Sequence, residues 1–325
     1  MKVMQKIAAS LLTAALVFSP LVVSAASRDD ASPLVLQGNA KTTYMRQKAQ
    51  EIFRAAHTTS FEAPVGWFHE RLNINNVPVE RLARLERSNS QRVLLQLHGG
   101  GYVLGLNDAY REQAVREAEK IDAREAYLVD YRLAPQNVYP AALQDAIAAY
   151  QGLLERGIQG KNILLVGDSA GGNLALELAI YLKTHHLEQP AAIVLASPWA
   201  TMENSGMLSR KTNVDNDMIL GKDTPLYKSV QDANYRGKLS RKDPRVSPLY
   251  ADLSNLPPLL IQTGGHELFL TEDEKLAEKA AADGTEVTLT VYPLMPHDFA
   301  LPYPQLQDSV QAIQEIADFA NRHMH

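Results

Sequence analysis

A serine set between glycines is the residue of this sequence whose surroundings most suggest catalysis. Ser169 lies in the run Gly167-Asp168-Ser169-Ala170-Gly171, after the apolar stretch 164–166 and before an apolar-periodic run. The pattern predicts a buried strand, a tight turn and a helix, because glycines let strand and helix backbones approach closely. Such a turn exposes the serine hydroxyl as a nucleophile for acyl transfer. An ordinary strand-to-helix turn with serine at the helix start explains the motif equally well on its own.

A second motif supplies donors for the negative charge that such a reaction develops. The run His98-Gly99-Gly100-Gly101-Tyr102 follows an apolar stretch. Consecutive glycines weaken regular structure, but they let bare N–H groups approach a ligand. We expect the N–H groups of Gly100 and Gly101, with that of Ala170, to form an oxyanion hole. A phosphate-binding loop is disfavoured because no Gly-Lys-Ser/Thr ending follows, whereas a plain glycine-rich hairpin or bulge stays open.

The general base is expected to be a histidine late in the chain. Of nine histidines, His297 is the one just past a predicted strand, in the run Pro296-His297-Asp298. The chain order of nucleophile, acid and histidine fits this position. His98 is predicted to order the glycine loop instead.

The acid that orients the histidine should follow the strand that precedes it. Glu267 comes directly after the apolar run 259–263 and two glycines, so we expect it to be this acid. The alternatives are the carboxylates of the next helix, which otherwise form a charged first turn favoured by the helix dipole, and a residue beside the histidine. They are Glu272, Asp273, Glu274 and Asp298.

These residues lie at the ends of strands in a strand–helix alternation. Strands are predicted over 93–97, 126–131, 163–166, 193–196, 259–263 and 287–292, after a strand pair over 68–85. Helices are predicted over 43–56, 110–120, 141–154, 173–182, 276–282 and 310–319. The pattern predicts an α/β fold with a mostly parallel sheet covered by helices on both faces, and active sites of such sheets lie at the carboxyl ends of the strands.

Composition places the chain among ordinary globular proteins. Its 325 residues are 46% hydrophobic and 21% charged, with a net charge of −5 and no basic block. Nucleic-acid binding is therefore disfavoured. The chain has no cysteine, which excludes disulfides, thiolate catalysis and cysteine metal sites. No cofactor or metal is implied, and the expected partner is a small molecule.

The first 25 residues predict a secretory signal rather than part of the fold. Lys2 and Lys6 precede an apolar run over 7–23, and small residues follow. We expect cleavage after Ala25, with Ala26 as the alternative, and an exported, periplasmic or secreted protein without a stable membrane span. An uncleaved anchor is disfavoured because the apolar run is short and diluted by polar residues. The remainder, 26–325, is predicted to be one domain.

With these residues placed, the chain resembles the hormone-sensitive-lipase-like branch of the α/β-hydrolase family, which includes many bacterial esterases. The resemblance covers about residues 90 to 300. Its motifs are the glycine loop 98–102, the segments 131–135 and 139–142, the elbow 167–173, the segments 197–199 and 247–250, and the acid and histidine segments. Gln136 and the run Trp199-Ala200-Thr201-Met202 depart from the family pattern without touching the three predicted catalytic residues.

The family implies a cap over the sheet, which agrees with two stretches that do not fit the alternation, about 27–65 and 199–234. Aromatic residues there are candidates for an acyl pocket, although packing explains each one singly. They are Tyr44, Phe53, Trp199, Tyr227 and Tyr235. The predicted function is hydrolysis of short-chain carboxylic esters. An interfacial lipase is disfavoured because the sequence has no long amphipathic segment that could form a lid. A deacetylase or amidase, a non-catalytic ligand receptor and a structural protein are the alternatives.

Overall fold

A computed structural model describes residues 32–54, 61–86 and 88–324 of the chain. The described residues from Pro33 onward form one compact unit. The predicted signal segment, with both of its cleavage positions, lies outside the described residues, as do Ala56 and the side chain of Phe53. None of the helices in the described part of the chain is long and apolar enough to cross a bilayer.

Eight strands form one sheet in the order β1-β2-β4-β3-β5-β6-β7-β8. The strands are β1 (Trp67–Ile74), β2 (Val77–Arg84), β3 (Val93–Leu97), β4 (Glu125–Val129), β5 (Ile163–Asp168), β6 (Ala192–Ala196), β7 (Leu259–Gly264) and β8 (Val287–Tyr292). The β1–β2 and β2–β4 pairs are antiparallel and all others are parallel. The predicted α/β fold with a mostly parallel sheet is confirmed.

Helices cover both faces of the sheet. They are α1 (Gly38–Arg54), α2 (Asp108–Lys120), α3 (Ala141–Glu155), α4 (Ser169–Thr184), α5 (Ser209–Thr212), α6 (Tyr227–Asp232), α7 (Leu270–Ala282) and α8 (Gln307–His323). Successive strand residues point to opposite faces. Leu94 and Leu164 accordingly join an apolar cluster with α2 and α8, whereas Leu95 and Leu165 join a larger one with α3 and α4.

The predicted elements are all present, and the largest differences lie at helix starts. Helix α4 begins at Ser169 rather than Asn173, because the polar and small residues 169–173 form its first turn. Helix α7 begins at Leu270 rather than Leu276, so the acidic run 272–274 lies inside it. At both helices the apolar residues that recur at helical spacing begin only after the first turn. The sequence pattern therefore predicts a helix start that is too late.

The predicted catalytic segments all lie at the carboxyl ends of the strands. Strand β3 lies between β4 and β5, so β4 is added on one side of β3 and the following strands on its other side. Ligands of such sheets bind outside the carboxyl ends of the strands at this switch point. The glycine loop leaves β3 there, the serine turn leaves β5, and the acid and histidine segments leave β7 and β8.

Candidate active site

Ser169 occupies a strained turn between β5 and α4. Its φ is +51°, in the left-handed region that ordinary side chains rarely adopt. The neighbouring glycines make the turn possible: a Cβ on Gly167 would lie 2.3 Å from the Gly171 carbonyl oxygen, and one on Gly171 would lie 1.9 Å from the Leu97 carbonyl oxygen. The Ser169 side chain is 7% exposed. The geometry is that of a nucleophile elbow.

The glycine loop presents free backbone donors beside this turn. Gly100 and Gly101 have φ values of +96° and +63°. Within the described part of the chain, neither N–H donates to another protein group. Ala170 lies in the first turn of α4, where N–H groups have no intrahelical acceptor and the helix dipole is positive. The three N–H groups predicted from the sequence are therefore all available to bind an oxyanion.

A stacked pair of aromatic residues supports the glycine loop. Tyr102 ends the loop with a φ of +61°, and its ring stacks on Tyr235 with centroids 3.6 Å apart. The Tyr102 hydroxyl donates to Asn173 Oδ1 at 2.7 Å, and the Tyr235 hydroxyl donates to Glu177 at 2.9 Å. Both tyrosines are buried, so Tyr235 stabilises the loop rather than lining an open pocket.

His98 orders the loop, as predicted. Its Nδ1 lies 2.8 Å from the Gly99 carbonyl oxygen, and its ring stacks on Tyr131 at 4.2 Å. Burial lowers the pKa of His98 to about 4, so the ring is neutral at physiological pH.

Glu267 and His297 face each other across the ends of β7 and β8. The distance from His297 Nδ1 to Glu267 Oε1 is 3.6 Å, slightly beyond a hydrogen bond. His297 Nδ1 has no other partner among the described residues. Glu267 is fully buried, and its Oε2 accepts from Ser197 Oγ at 2.7 Å and from the Gly264 N–H at 2.6 Å. These bonds fix the carboxylate in front of the imidazole.

The alternative acids make other contacts. Glu272 and Asp273 are fully buried instead of forming a solvated first turn. Glu272 is paired with Arg210, whereas Asp273 accepts from Thr263 Oγ1 at 2.7 Å and hydrogen-bonds to Glu267. Burial and the charge of Glu267 raise the pKa of Asp273, so Asp273 is the protonated member of that pair. Glu274 is exposed, and Asp298 hydrogen-bonds to Asp168.

Ring contacts connect the nucleophile turn to the histidine, although the Ser169 hydroxyl and the His297 ring are not hydrogen-bonded to each other. The backbone N–H of Trp199 donates to the Ser169 carbonyl at 2.9 Å. The Trp199 ring stacks on Phe269 at 6.0 Å, and Phe269 meets His297 edge to face at 4.9 Å. Catalytic hydrogen bonds are often longer without substrate. Trp199 is buried in this stack, so it packs the site.

The irregular segment after β6 contacts the loops that carry Glu267, His297 and Gly101. Asp217 is buried, and its carboxylate accepts from the N–H groups of Leu268 at 2.9 Å and His297 at 3.4 Å. Asn213 Nδ2 donates to the carbonyl of Glu267 at 2.9 Å. On α6, Ser229 Cβ lies 3.7 Å from the position that a Cβ on Gly101 would occupy. The segment therefore contacts the acid, histidine and oxyanion loops.

The other predicted cap stretch lies beside the segment that follows β8. The Tyr44 ring of α1 lies 6.5 Å from that of Tyr303, and Lys41 pairs with Asp308 at 2.7 Å. Tyr227 on α6 is half-buried against the core. These contacts are packing contacts.

A family model described as the alpha/beta hydrolase fold matches residues 94–301 of the chain. Among curated proteins, the chain is 33% identical over 276 residues to a putative acetyl-hydrolase of Mycobacterium tuberculosis, covering 85% of this chain and 87% of that protein. It is 32% identical to an esterase of Acinetobacter venetianus, covering 72% and 76% of the two chains.

Solved structures show the same likeness. One is an esterase from the bacterial hormone-sensitive lipase family, with a TM-score of 0.79 and 32% identity, covering 89% of this chain and all of that one. Another is EstE5, from a crystal soaked with p-nitrophenyl butyrate, with a TM-score of 0.77 and 30% identity, covering 87% and 97% of the two chains.

Proposed function

Since the chain belongs to the α/β-hydrolase family, among the esterases related to hormone-sensitive lipase, and is a carboxylic ester hydrolase, we propose that it hydrolyses short-chain acyl esters through Ser169, His297 and Glu267. One observation carries the assignment of the triad. The fully buried Glu267 carboxylate lies 3.6 Å from His297 Nδ1, a ring nitrogen without another partner. A buried carboxylate at this nitrogen selects the tautomer whose other nitrogen can accept a proton.

The mechanism follows from these positions. Ser169 Oγ attacks the ester carbonyl while His297 accepts its proton, and Glu267 stabilises the imidazolium that forms. The N–H groups of Gly100, Gly101 and Ala170 bind the oxyanion of the tetrahedral intermediate. His297 then protonates the leaving alcohol, and a water molecule activated by the same ring hydrolyses the acyl-enzyme. Asp217 and Ser197 position the histidine and acid loops without touching the reacting atoms.

The short-chain preference is supported by the relatives and by the closeness of α6. The putative acetyl-hydrolase is named for the smallest common acyl group, and the EstE5 crystal was soaked with a butyrate ester. In this chain Ser229 lies against the oxyanion loop. A wall this close to the reacting carbonyl favours small acyl groups.

The test is a substrate series with a nucleophile variant. We expect hydrolysis of p-nitrophenyl acetate and butyrate to exceed that of longer esters, and Ser169→Ala to lose on the order of 10⁴-fold or more in kcat. A fluorophosphonate probe should label Ser169 and no other residue. An active Ser169→Ala variant would remove the serine from the mechanism, and a preference for anilide or acetamide substrates would identify an amidase or deacetylase.

We also propose export of the protein, from the charged start and apolar run of residues 1–25. Expression of the full chain in a Gram-negative host should give a periplasmic protein whose N-terminal residue is Ala26 or Ser27. A cytoplasmic protein that begins at Met1 would contradict this proposal.

A further inference from the structure

Two buried carboxyl groups flank the proposed reacting residues. Asp168 directly precedes Ser169, and Asp298 directly follows His297. Asp168 is 4% exposed and Asp298 is 7% exposed, and their side chains hydrogen-bond to each other. Two carboxyls can share such a bond only when one of them carries a proton.

Asp168 is the ionised partner, because each of its two carboxylate oxygens accepts a hydrogen bond. Oδ1 accepts from the Gly99 N–H at 2.9 Å, and Oδ2 accepts from the Tyr110 hydroxyl at 3.0 Å. The Gly99 bond ties the carboxylate to the loop that carries the oxyanion donors. Space there is tight, since a Cβ on Gly99 would lie 2.0 Å from Asp168 Oδ2.

Asp298 is the protonated partner. No donor among the described residues reaches its Oδ1. Its backbone N–H donates to Ser197 Oγ at 2.9 Å, and that hydroxyl donates to Glu267. Asp298 also has a φ of +52°, so local backbone preference does not fix its position and its hydrogen bonds must do so.

We propose that Asp168 and Asp298 are positioning residues whose single shared proton holds the oxyanion loop and the histidine loop together in the geometry needed for ester hydrolysis. The inference rests on the proposed function. It predicts a network that runs from the Gly99 N–H through both carboxyls and Ser197 to Glu267. Each of its bonds joins segments from different strands, so the shared proton connects the two halves of the site.

The groups that face the pair favour its protonation. They are Tyr110 and Glu117 of α2, Tyr131 after β4, Glu267 and His297. Of these five, only His297 can carry a positive charge. Burial raises the pKa of Asp168 to about 6, and burial together with the charge of Asp168 also raises the pKa of Asp298 well above its ordinary value.

The pair makes activity and stability sensitive to high pH. A carboxyl whose pKa is raised in the folded state holds its proton more tightly there than in the unfolded state, so its contribution to stability is lost as pH rises through the raised pKa. Above that pH, two buried carboxylates repel each other and the Gly99 and His297 loops lose their connection.

The test replaces each partner by its neutral isostere. Asp298→Asn keeps a donor for Asp168 that cannot ionise, and Asp168→Asn gives Asp298 an amide donor. We expect both variants to move the alkaline limb of the kcat/KM profile upward by about one pH unit or more, and to flatten the fall in Tm as the pH rises. Asp168→Asn should also lower kcat, because its amide turns a donor toward Tyr110 or Gly99. The control Asp283→Asn, at the C-terminal end of α7 before β8, should follow the wild-type profile.

Each outcome decides the proposal. Equal upward shifts in the two variants support a shared proton, and either variant suffices if the other does not fold. A constant loss of Tm at every pH, with an alkaline limb parallel to that of the wild type, indicates packing alone and overturns it. If the wild type hydrolyses no ester, the proposed function fails, while the Tm profiles still decide whether the pair shares a titrating proton.

Discussion

The Ser197 hydroxyl donates to Glu267 Oε2 at 2.7 Å, so one serine hydroxyl fixes the oxygen of the carboxylate that does not face His297. The same hydroxyl accepts from the Asp298 N–H. Ser197 has a φ of +47° at the end of β6, the strand between those of the nucleophile and the acid. This serine therefore joins the acid loop to the histidine loop.

Removing this hydroxyl should slow catalysis without weakening substrate binding. A hydrogen bond to a charged group is worth about 1.5–3 kcal/mol, so we expect Ser197→Gly to lose roughly tenfold to hundredfold in kcat with KM little changed. Glycine relieves the strain of the left-handed φ, whereas Ser197→Ala keeps the Cβ and the backbone strain of the wild type. Equal kcat losses in the two variants assign the effect to the hydroxyl, and wild-type kcat in Ser197→Gly would refute it.

The identity of the acid is tested by two matched substitutions. Glu267→Gln should lower kcat by about 10³–10⁴-fold, because a neutral amide cannot stabilise the imidazolium. Asp273→Asn should lose less than about tenfold, since asparagine keeps a donor for Glu267. Steady-state kinetics on p-nitrophenyl butyrate separate them. The reverse ranking would make Asp273 the acid.

The glycine loop tolerates no side chain at Gly99. Overpacking typically costs about 1–3 kcal/mol, and here the added methyl would displace Asp168 and with it the loop. We expect Gly99→Ala to lower both Tm and kcat/KM. Gly105→Ala is the control, because its Cβ would meet only Leu133 at an ordinary 3.6 Å. Similar thermal and kinetic data for the two variants would contradict the proposed crowding.

Acyl-chain preference should respond to Ser229. Ser229→Leu extends a side chain over the oxyanion loop, so we expect kcat/KM for octanoate esters to fall about tenfold or more relative to acetate. Lys228→Leu is the control. It introduces the same leucine side chain at the preceding residue of α6, which is exposed, and should leave the octanoate-to-acetate ratio of kcat/KM unchanged. A ratio that moves equally in both variants would place the acyl group elsewhere.

A buried ion pair attaches the irregular segment to α7. Arg210 and Glu272 lie 2.7 Å apart with almost no exposure. Arg210→Met leaves the buried Glu272 carboxylate without its positively charged partner, so it should lower the free energy of unfolding by about 3–5 kcal/mol. Adding Glu272→Leu should recover most of the loss in urea denaturation. A double variant no more stable than the single one would show that the contacts of Arg210 with Asn204 and Thr201 matter more.

The strands and the nucleophile turn were predictable because their signals are local. Apolar runs of strand length, glycines beside Ser169 and the order of the motifs need no knowledge of distant contacts. Ser197 and Asp217 gave no comparable signal. Asp217 lies in a segment without periodicity, and its role comes from the N–H groups of Leu268 and His297, which only the folded chain brings to it.

The environment of the acidic run was unpredictable for a related reason. Carboxylates in a first helical turn are ordinarily solvated, yet Glu272 and Asp273 are buried. The partner of Glu272 is Arg210, 62 residues earlier in a segment of irregular structure. The pairing of Asp168 with Asp298 likewise joins residues far apart in the chain. Sequence spacing predicted the residues that we propose to react, but it could not predict the groups that hold them.

The strands β5 to β8 are neighbours in space in the same order in which they occur along the chain. During synthesis the nucleophile turn, the acid loop and the histidine loop therefore emerge in succession, each beside the strand made before it. The proposed base arrives on the last strand, followed by α8. A ribosome that has completed 280 residues has made the proposed nucleophile, oxyanion donors and acid, but not the proposed base. On this assignment, catalytic competence is the last property that the growing chain acquires.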